Sequence, residues 1–326
     1  MEKILILGGT NFIGRNLIER LISLDKYDLT LLNRGKTNAH FFPNIKLIKG
    51  DRNKASIGEL VKGDWDYIID LSCYFPKSLE RVVAATNSRL KKYIFISTIS
   101  VFKLGLEVPV TESSPFKVCK PEDWADETNS TYGQRKVACE EILKASPLNY
   151  TILRPAVVYG KYDHTDRFYY WLHQVKKYKK VLLPNDGKQK FSLTYITDLI
   201  TVIERSINAA KDKDAYNIIS HKEVTLKKIV ELASQQLNKN PDFINLPHQY
   251  LKDKKMTQWM DLPLWISGDF IIFDNQKMVA SVDFEMVPFE KSVKETIAYC
   301  ETLNWHKPSY GINRRKQLAL INNFTK

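Results

Sequence analysis

Over the first hundred residues, short runs of branched apolar residues alternate with stretches of helical periodicity. The order is "KILILGG" then "NFIGRNLIERLISL", "LTLLN", "IKLIKGD" then "ASIGELVKG", "YIIDLS" then "PKSLERVVAATNSRL", and "YIFISTISVF". Strands without a polar face must be covered on both sides, and helices between successive strands bring those strands in parallel. The expected fold class is therefore α/β, a doubly wound parallel sheet.

At 326 residues with 44% apolar content, the chain has ample material for a large core. Residues 1–160 are expected to form the sheet domain, completed by segments near 190–220, and 161–326 mainly a smaller lobe without a Gly/Ser linker. In that second part, prolines interrupt the apolar runs, and helices are expected near 197–210, 225–237 and 289–303. Phe168, Trp171, Leu172 and Val175 recur at helical spacing and read as core packing. The Pro- and acid-rich stretch "KLGLEVPVTESSPFKVCKPEDWADETNS" reads as a long loop at the carboxyl edge of the sheet.

Cys73, Cys119, Cys139 and Cys300 form no CxxC pair, and the six histidines have no ligand spacing. A reducing compartment and no structural metal are expected. The N-terminus runs from Met-Glu-Lys straight into the first strand, and no apolar run approaches the ~18 residues of a membrane span. A cytoplasmic location without membrane association follows as an expectation. The net charge of +12 suits phosphate-bearing partners, but the lysines are spread along the chain as on an ordinary solvated surface.

The first strand breaks at Gly8 and Gly9, and a helix follows with Gly14 in its first turn. A helix start at a parallel strand's end presents unpaired N–H groups and the positive end of a dipole, which suits a pyrophosphate. Gly8 is expected to make the tight turn and Gly14 to let helix and strand approach. In the spacing Gly8-x-x-Asn11-x-x-Gly14 the middle position holds Asn11. Asparagine enters positive φ more readily than most residues, so the turn tolerates it there, and its amide is expected to hydrogen-bond a phosphate oxygen or the loop itself. At the end of the second strand, where an acidic residue would hold ribose hydroxyls, stand Asn33, Arg34 and Lys36. That choice favours NADP over NAD. In "KGDRN", Asp51 is placed to meet an adenine edge.

"TYGQRKVACEE" contains Tyr132-x-x-x-Lys136, an i, i+4 pair on one helix face. A neighbouring ammonium favours the phenolate and lowers a tyrosine pKa from ~10, so the phenol can exchange a proton with a hydroxyl or carbonyl. Tyr250 and Lys254 share the spacing but lack a glycine turn or hydroxyl-bearing strand nearby, and read as solvated surface. Ser97, Thr98 and Ser100 end the preceding strand at the edge where open parallel sheets bind ligands. A hydroxyl there can donate to an oxygen as charge builds on it, and Thr98 is the choice among the three; the alternative for each is a hydroxyl capping its own backbone.

In this order "GGTNFIG", "GDR", "STISVF", "YGQRK", "LRPAVVYG" and "YITDL" resemble the short-chain dehydrogenase/reductase superfamily, in the extended or atypical branch labelled NAD-dependent epimerase/dehydratase. The resemblance covers about 200 residues. "LNRGKTN" and "TDRFYYW" are similar to an atypical subgroup that includes isoflavone-reductase-like and chloroplast mRNA-binding-like proteins. The resemblance implies a Rossmann-type sheet with a C-terminal substrate lobe and a catalytic set of Thr98, Tyr132 and Lys136. It implies cofactor contacts from Gly8, Thr10, Asn11, Phe12, Ile13, Gly14, Asn33, Arg34, Lys36, Asp51, Arg52, Leu71, Ser72, Lys136 and Pro155. Substrate contacts would come from Tyr74, Ser100 and Arg167, although Asp166 and Arg167 suit a helix start nearly as well. Sugar-nucleotide dehydratases carry an Asp-Glu pair after the catalytic threonine; Ile99 and Ser100 stand here, which argues against that route. The implied function is an NAD(P)-dependent oxidoreductase or epimerase acting on a nucleotide sugar or related small molecule, with a homodimer as one possible assembly. The alternatives are a Rossmann-fold RNA-binding protein and a non-catalytic NADP(H) sensor.

Overall fold

The computed structural model describes residues 1–38, 40–209, 213–266 and 272–325. From the N-terminus the chain forms β1 (Glu2–Leu7), α1 (Phe12–Leu24), β2 (Tyr27–Asn33), β3 (Lys46–Lys49), α2 (Ile57–Leu60), β4 (Tyr67–Asp70), α3 (Pro76–Ala85), β5 (Lys92–Ile96), α4 (Tyr132–Ala145) and β6 (Tyr150–Pro155). Next come β7 (Val157–Tyr159), α5 (Arg167–Lys177), β8 (Lys180–Pro184), β9 (Lys190–Tyr195), α6 (Ile196–Ile207) and β10 (Asp214–Ile218). The remainder is β11 (His221–Thr225), α7 (Leu226–Leu237), β12 (Asp242–Leu246), α8 (His248–Asp253), α9 (Gln276–Ser281), α10 (Phe289–Thr302) and α11 (Arg314–Phe324).

The chain divides into two compact units, the first being residues 1–156, 196–219 and 274–285. Its sheet has seven strands in the order β10-β6-β5-β4-β1-β2-β3, every pair parallel. The order reverses between β1 and β4, the switch point at which such sheets open a crevice at their carboxyl ends. Alternation along the strands divides the core. Leu5, Leu7, Ile68, Tyr93, Phe95 and Ile152 pack with Leu79 and Val82 of α3 and Cys139 and Leu143 of α4. On the other face α1 lies against α6, joined at their exposed ends by the Arg20–Glu204 ion pair. Each branched side chain removed from water contributes ~1.5–3 kcal/mol. The central strands collect this on both faces, whereas edge strand β3, "KLIK", keeps its lysines in solvent.

The second unit comprises residues 157–195, 220–273 and 286–326. It holds a β11-β9-β7 sheet and a parallel β12-β8 pair. Phe168, Trp171, Leu172 and Val175 of α5 are buried as the periodicity required, with Phe168 stacked on Tyr159 and Trp171 Nε1 donating to the Pro263 carbonyl. The helices expected near 197–210, 225–237 and 289–303 are α6, α7 and α10, with residue 210 outside the described residues. The "ASIGELVKG" helix is shorter than its pattern, a single turn, α2. Tyr250 is not simply solvated: its hydroxyl donates to the Leu320 carbonyl at 2.9 Å. Among the described residues, no helix is long and apolar enough to cross a membrane, no group of His, Cys, Asp or Glu is placed to hold a metal, and the four cysteines are free.

Candidate active site

The turn after β1 depends on glycine at three places. Gly8 and Gly9 have φ of +107° and +103°, a region that side chains disfavour. Gly14 is needed for space, since a Cβ there would stand 2.4 Å from the Gly9 Cα. Asn11 differs from its expectation. Its φ is −130°, extended rather than left-handed, because it is the N-cap of α1, and its Oδ1 accepts from the Phe12 N–H at 3.0 Å. The two preceding glycines already reverse the chain, so no positive φ is required of Asn11. Asn11 caps only the Phe12 N–H; the Ile13 and Gly14 N–H groups of the same turn have no acceptor among the described residues. Free amides above a glycine cradle fit a pyrophosphate.

The end of β2 is tied to this turn. Asn33 Nδ2 donates to the Gly8 carbonyl at 3.2 Å, its Oδ1 accepts from the Gly35 N–H at 2.8 Å, and Asn38 Nδ2 donates to the Thr10 carbonyl at 3.0 Å. Arg34 and Lys36 are exposed beside it. Asp51 Oδ1 accepts from the Asn53 N–H at 3.0 Å, closing its own turn.

Arg52 is engaged within the protein. Its guanidinium pairs with Asp70 at 2.5 and 3.0 Å and donates to Ser78 Oγ at 3.0 Å. Burial opposes the Asp70 carboxylate, but the Arg52 charge and hydrogen bonds from Arg52 and Tyr93 outweigh it and hold its pKa below the ordinary value. Ser72 Oγ donates to the Leu7 carbonyl at 3.1 Å, and Leu71 N–H to the same carbonyl, so both line the gap between β4 and β1. Sequence reasoning missed Asp70; its only signal was an acid ending a wholly apolar strand.

At the end of β5, Thr98 Oγ1 accepts from the Ser100 N–H at 3.1 Å and donates to Ser100 Oγ at 3.2 Å. This hydroxyl caps the short 3-10 turn at Ile99–Val101. Helix α4 then starts at Tyr132, and Gly133 is required because a Cβ would lie 2.2 Å from the Ser100 carbonyl oxygen. The Tyr132 ring is 6.0 Å from that of Tyr74, itself 49% exposed. One turn on, the buried Lys136 Nζ donates to the Cys73 carbonyl at 2.9 Å and the Ile96 carbonyl at 2.6 Å. The lysine thus bridges the loop after β4 and the end of β5. Pro155 is buried at the carboxyl end of β6.

Arg167 belongs to the second unit. It opens α5, donates to Thr165 Oγ1 at 3.2 Å and lies 5.7 Å from the Trp259 ring. Asp166 stands at the N-cap position of α5 with φ +55°, its carbonyl accepting from the Tyr170 N–H at 2.7 Å, but its side chain does not cap the helix: Oδ2 accepts from the N–H and hydroxyl of Ser309.

A family model described as NAD dependent epimerase/dehydratase family matches residues 4–218. The chain is similar to the chloroplast stem-loop binding protein of 41 kDa b of Arabidopsis thaliana, 27% identical over 240 residues, covering 69% of this chain and 60% of that protein. It is also similar to N-acetyl-alpha-D-glucosaminyl-diphospho-ditrans,octacis-undecaprenol 4-epimerase of Escherichia coli O157:H7, 23% identical over 269 residues and 76% of each chain. Among solved structures, UDP-glucuronic acid 4-epimerase from Bacillus cereus in complex with NAD has a TM-score of 0.70 at 19% identity, covering 92% of this chain and 99% of that one.

Proposed function

We propose, from the premise that the chain belongs to the NAD dependent epimerase/dehydratase family, that it moves a hydride and a proton at a carbinol or carbonyl carbon of a nucleotide sugar or related small molecule. Thr98, Tyr132 and Lys136 are the proposed catalytic set. The observation that carries this reading is the Lys136 bridge: it sets α4, with Tyr132 in its first turn, at the carboxyl ends of β4 and β5, two residues from Thr98.

The turn from Gly8 to Gly14 would hold a dinucleotide through the Ile13 and Gly14 amides, and the bound nicotinamide supplies the hydride chemistry. On the protein side, the Tyr132 phenolate, favoured by the Lys136 ammonium, takes the substrate hydroxyl proton and becomes the phenol. Thr98 Oγ1, turned from Ser100, donates to the same oxygen. An epimerase then returns the proton from Tyr132 to the oxygen; an oxidoreductase releases the carbonyl product. The sugar-diphosphate substrate class is supported by the 4-epimerases among the similar proteins. The preference for NADP is supported by the exposed Arg34 and Lys36 and by Asn33, whose amide is engaged where a ribose-binding carboxylate would stand. The test is Tyr132→Phe. Cofactor binding by calorimetry should persist while turnover of UDP-sugars is abolished; undiminished turnover in the folded variant would refute the catalytic set.

A second reading, RNA binding, is favoured by the similarity to the chloroplast stem-loop binding protein, of which the match covers 60%. It predicts salt-sensitive RNA affinity that survives Tyr132→Phe.

A further inference from the structure

Helix α4 is fastened to the carboxyl end of the sheet at two successive turns. Lys136 reaches the loop after β4 and the end of β5. One turn later, Glu140 joins Ser97, the residue that follows β5, to Arg154 of β6. Its Oε1 accepts from Ser97 Oγ at 2.6 Å and from Arg154 Nε at 2.9 Å, and its Oε2 accepts from Arg154 Nη2 at 2.6 Å. Both side chains of the ion pair are 2% exposed, and Lys144 Nζ stands 3.4 Å from Oε2. The Arg154 guanidinium carbon lies 5.4 and 4.8 Å from the Phe102 and Phe116 rings, so the segment after Thr98 closes over the same pair.

A buried ion pair stabilises a fold no better than apolar residues of equal volume. What it adds is direction: charge-assisted, two-point hydrogen bonds tolerate little sliding. Ile96, Ser97 and Thr98 are consecutive, and Lys136 and Glu140 are one helical turn apart. A slip of α4 along β5 would break the Lys136–Ile96, Glu140–Ser97 and Glu140–Arg154 contacts together.

We propose that Glu140, gripped by Ser97 and Arg154, is a positioning residue of the active site, fixing the register of α4 against β5 and so the placement of Tyr132 and Lys136 relative to Thr98. This rests on the catalytic reading above. Glu140 acts through Lys136 and touches no reacting atom.

The test reads Tyr132 directly. In protein labelled with 13C at the tyrosine Cζ, the Tyr132 signal is the one lost in Tyr132→Phe, and it moves when the phenol ionises. Around this end of α4 stand Tyr74 and Cys73 after β4, Asp70 at the end of β4 with Arg52 beside it, Lys117 after β5, and Arg135, Lys136 and Cys139 on the helix. Removing the Glu140 charge would by electrostatics alone lower the Tyr132 midpoint, whereas a displaced Lys136 raises it, so the sign separates the two effects. Glu140→Gln and Ser97→Ala should each raise the midpoint by about one pH unit, and Ser97→Thr, which keeps the hydroxyl, should restore it. Should Glu140→Gln not fold, the small and neutral Ser97→Ala change carries the test. An unmoved or lowered midpoint in folded Ser97→Ala overturns the proposal. Failure of the catalytic reading shows separately, as turnover that survives Tyr132→Phe.

Discussion

Arg52 and Asp70 form a two-point ion pair beneath the glycine turn, with Nη1 2.5 Å from Oδ1 and Nη2 3.0 Å from Oδ2. Asp70 is fully buried and Arg52 nearly so. Tyr93, the second residue of β5, donates to the same carboxylate at 2.7 Å and the Ser72 N–H at 3.2 Å, so the pair joins the loop after β3 and the end of β4 to a side chain from within β5.

Arg52→Met therefore leaves a buried carboxylate without its counter-charge. The expected loss is ~3–5 kcal/mol of folding stability, read from urea unfolding at pH 7. Arg52→Met with Asp70→Leu should recover much of it; a double variant no more stable than the single would contradict the account.

Two pH windows should separate. Burial, helped by Lys177 and His306, lowers the His173 pKa to about 4, and burial lowers that of His221 to about 4. A depressed folded pKa means that the unfolded chain takes up the proton first. The stability is thus full above the ordinary histidine value near ~6.5 and lost as pH falls from there toward about 4. Asp70, also depressed, acts lower: its contribution is full above the ordinary carboxylate value near ~3.9 and lost as pH falls through its folded pKa. Urea midpoints between pH 7 and 4 should fall in the wild type and fall less in a His173→Asn variant. Equal slopes would discount His173.

Gly14→Ala places a methyl 2.4 Å from the Gly9 backbone, where no flexible side chain can yield. Stability should drop by ~1–3 kcal/mol, and NAD affinity with it, as helix and strand separate. Calorimetry showing wild-type affinity would mean the close approach is dispensable.

For Asn11 the cap sets the expectation. Asn11→Ala should cost ~1 kcal/mol of stability and Asn11→Gly only a few tenths. Because the Asn11 side chain occupies the Phe12 N–H, Asn11→Gly should bind NAD no more weakly than the wild type. A tenfold loss would show that the amide contacts the phosphate.

Arg34→Ala and Lys36→Ala bear on cofactor choice. Each should weaken NADP binding at least fivefold while changing NAD binding less than twofold, since a 2′-phosphate adds charge that only NADP presents. Equal losses for both cofactors would remove the preference.

The chain pattern by itself determined the parallel sheet, because strands buried on both faces must be apolar throughout and the helices between them carry a 3.6-residue stripe. It also placed the glycines of the turn and the Tyr132–Lys136 face, all of them short-range regularities. Tertiary structure alone decided which polar groups are already engaged. Arg52 with Asp70, Ser97 with Glu140, and Lys136 with Cys73 are 18, 43 and 63 residues apart, and no local spacing marks them. Asn11 adopts an extended φ because Gly8 and Gly9 have already turned the chain. Periodicity is a local property that survives in a linear string; the partner of a buried charge is chosen by the order in which the sheet brings its strand ends together.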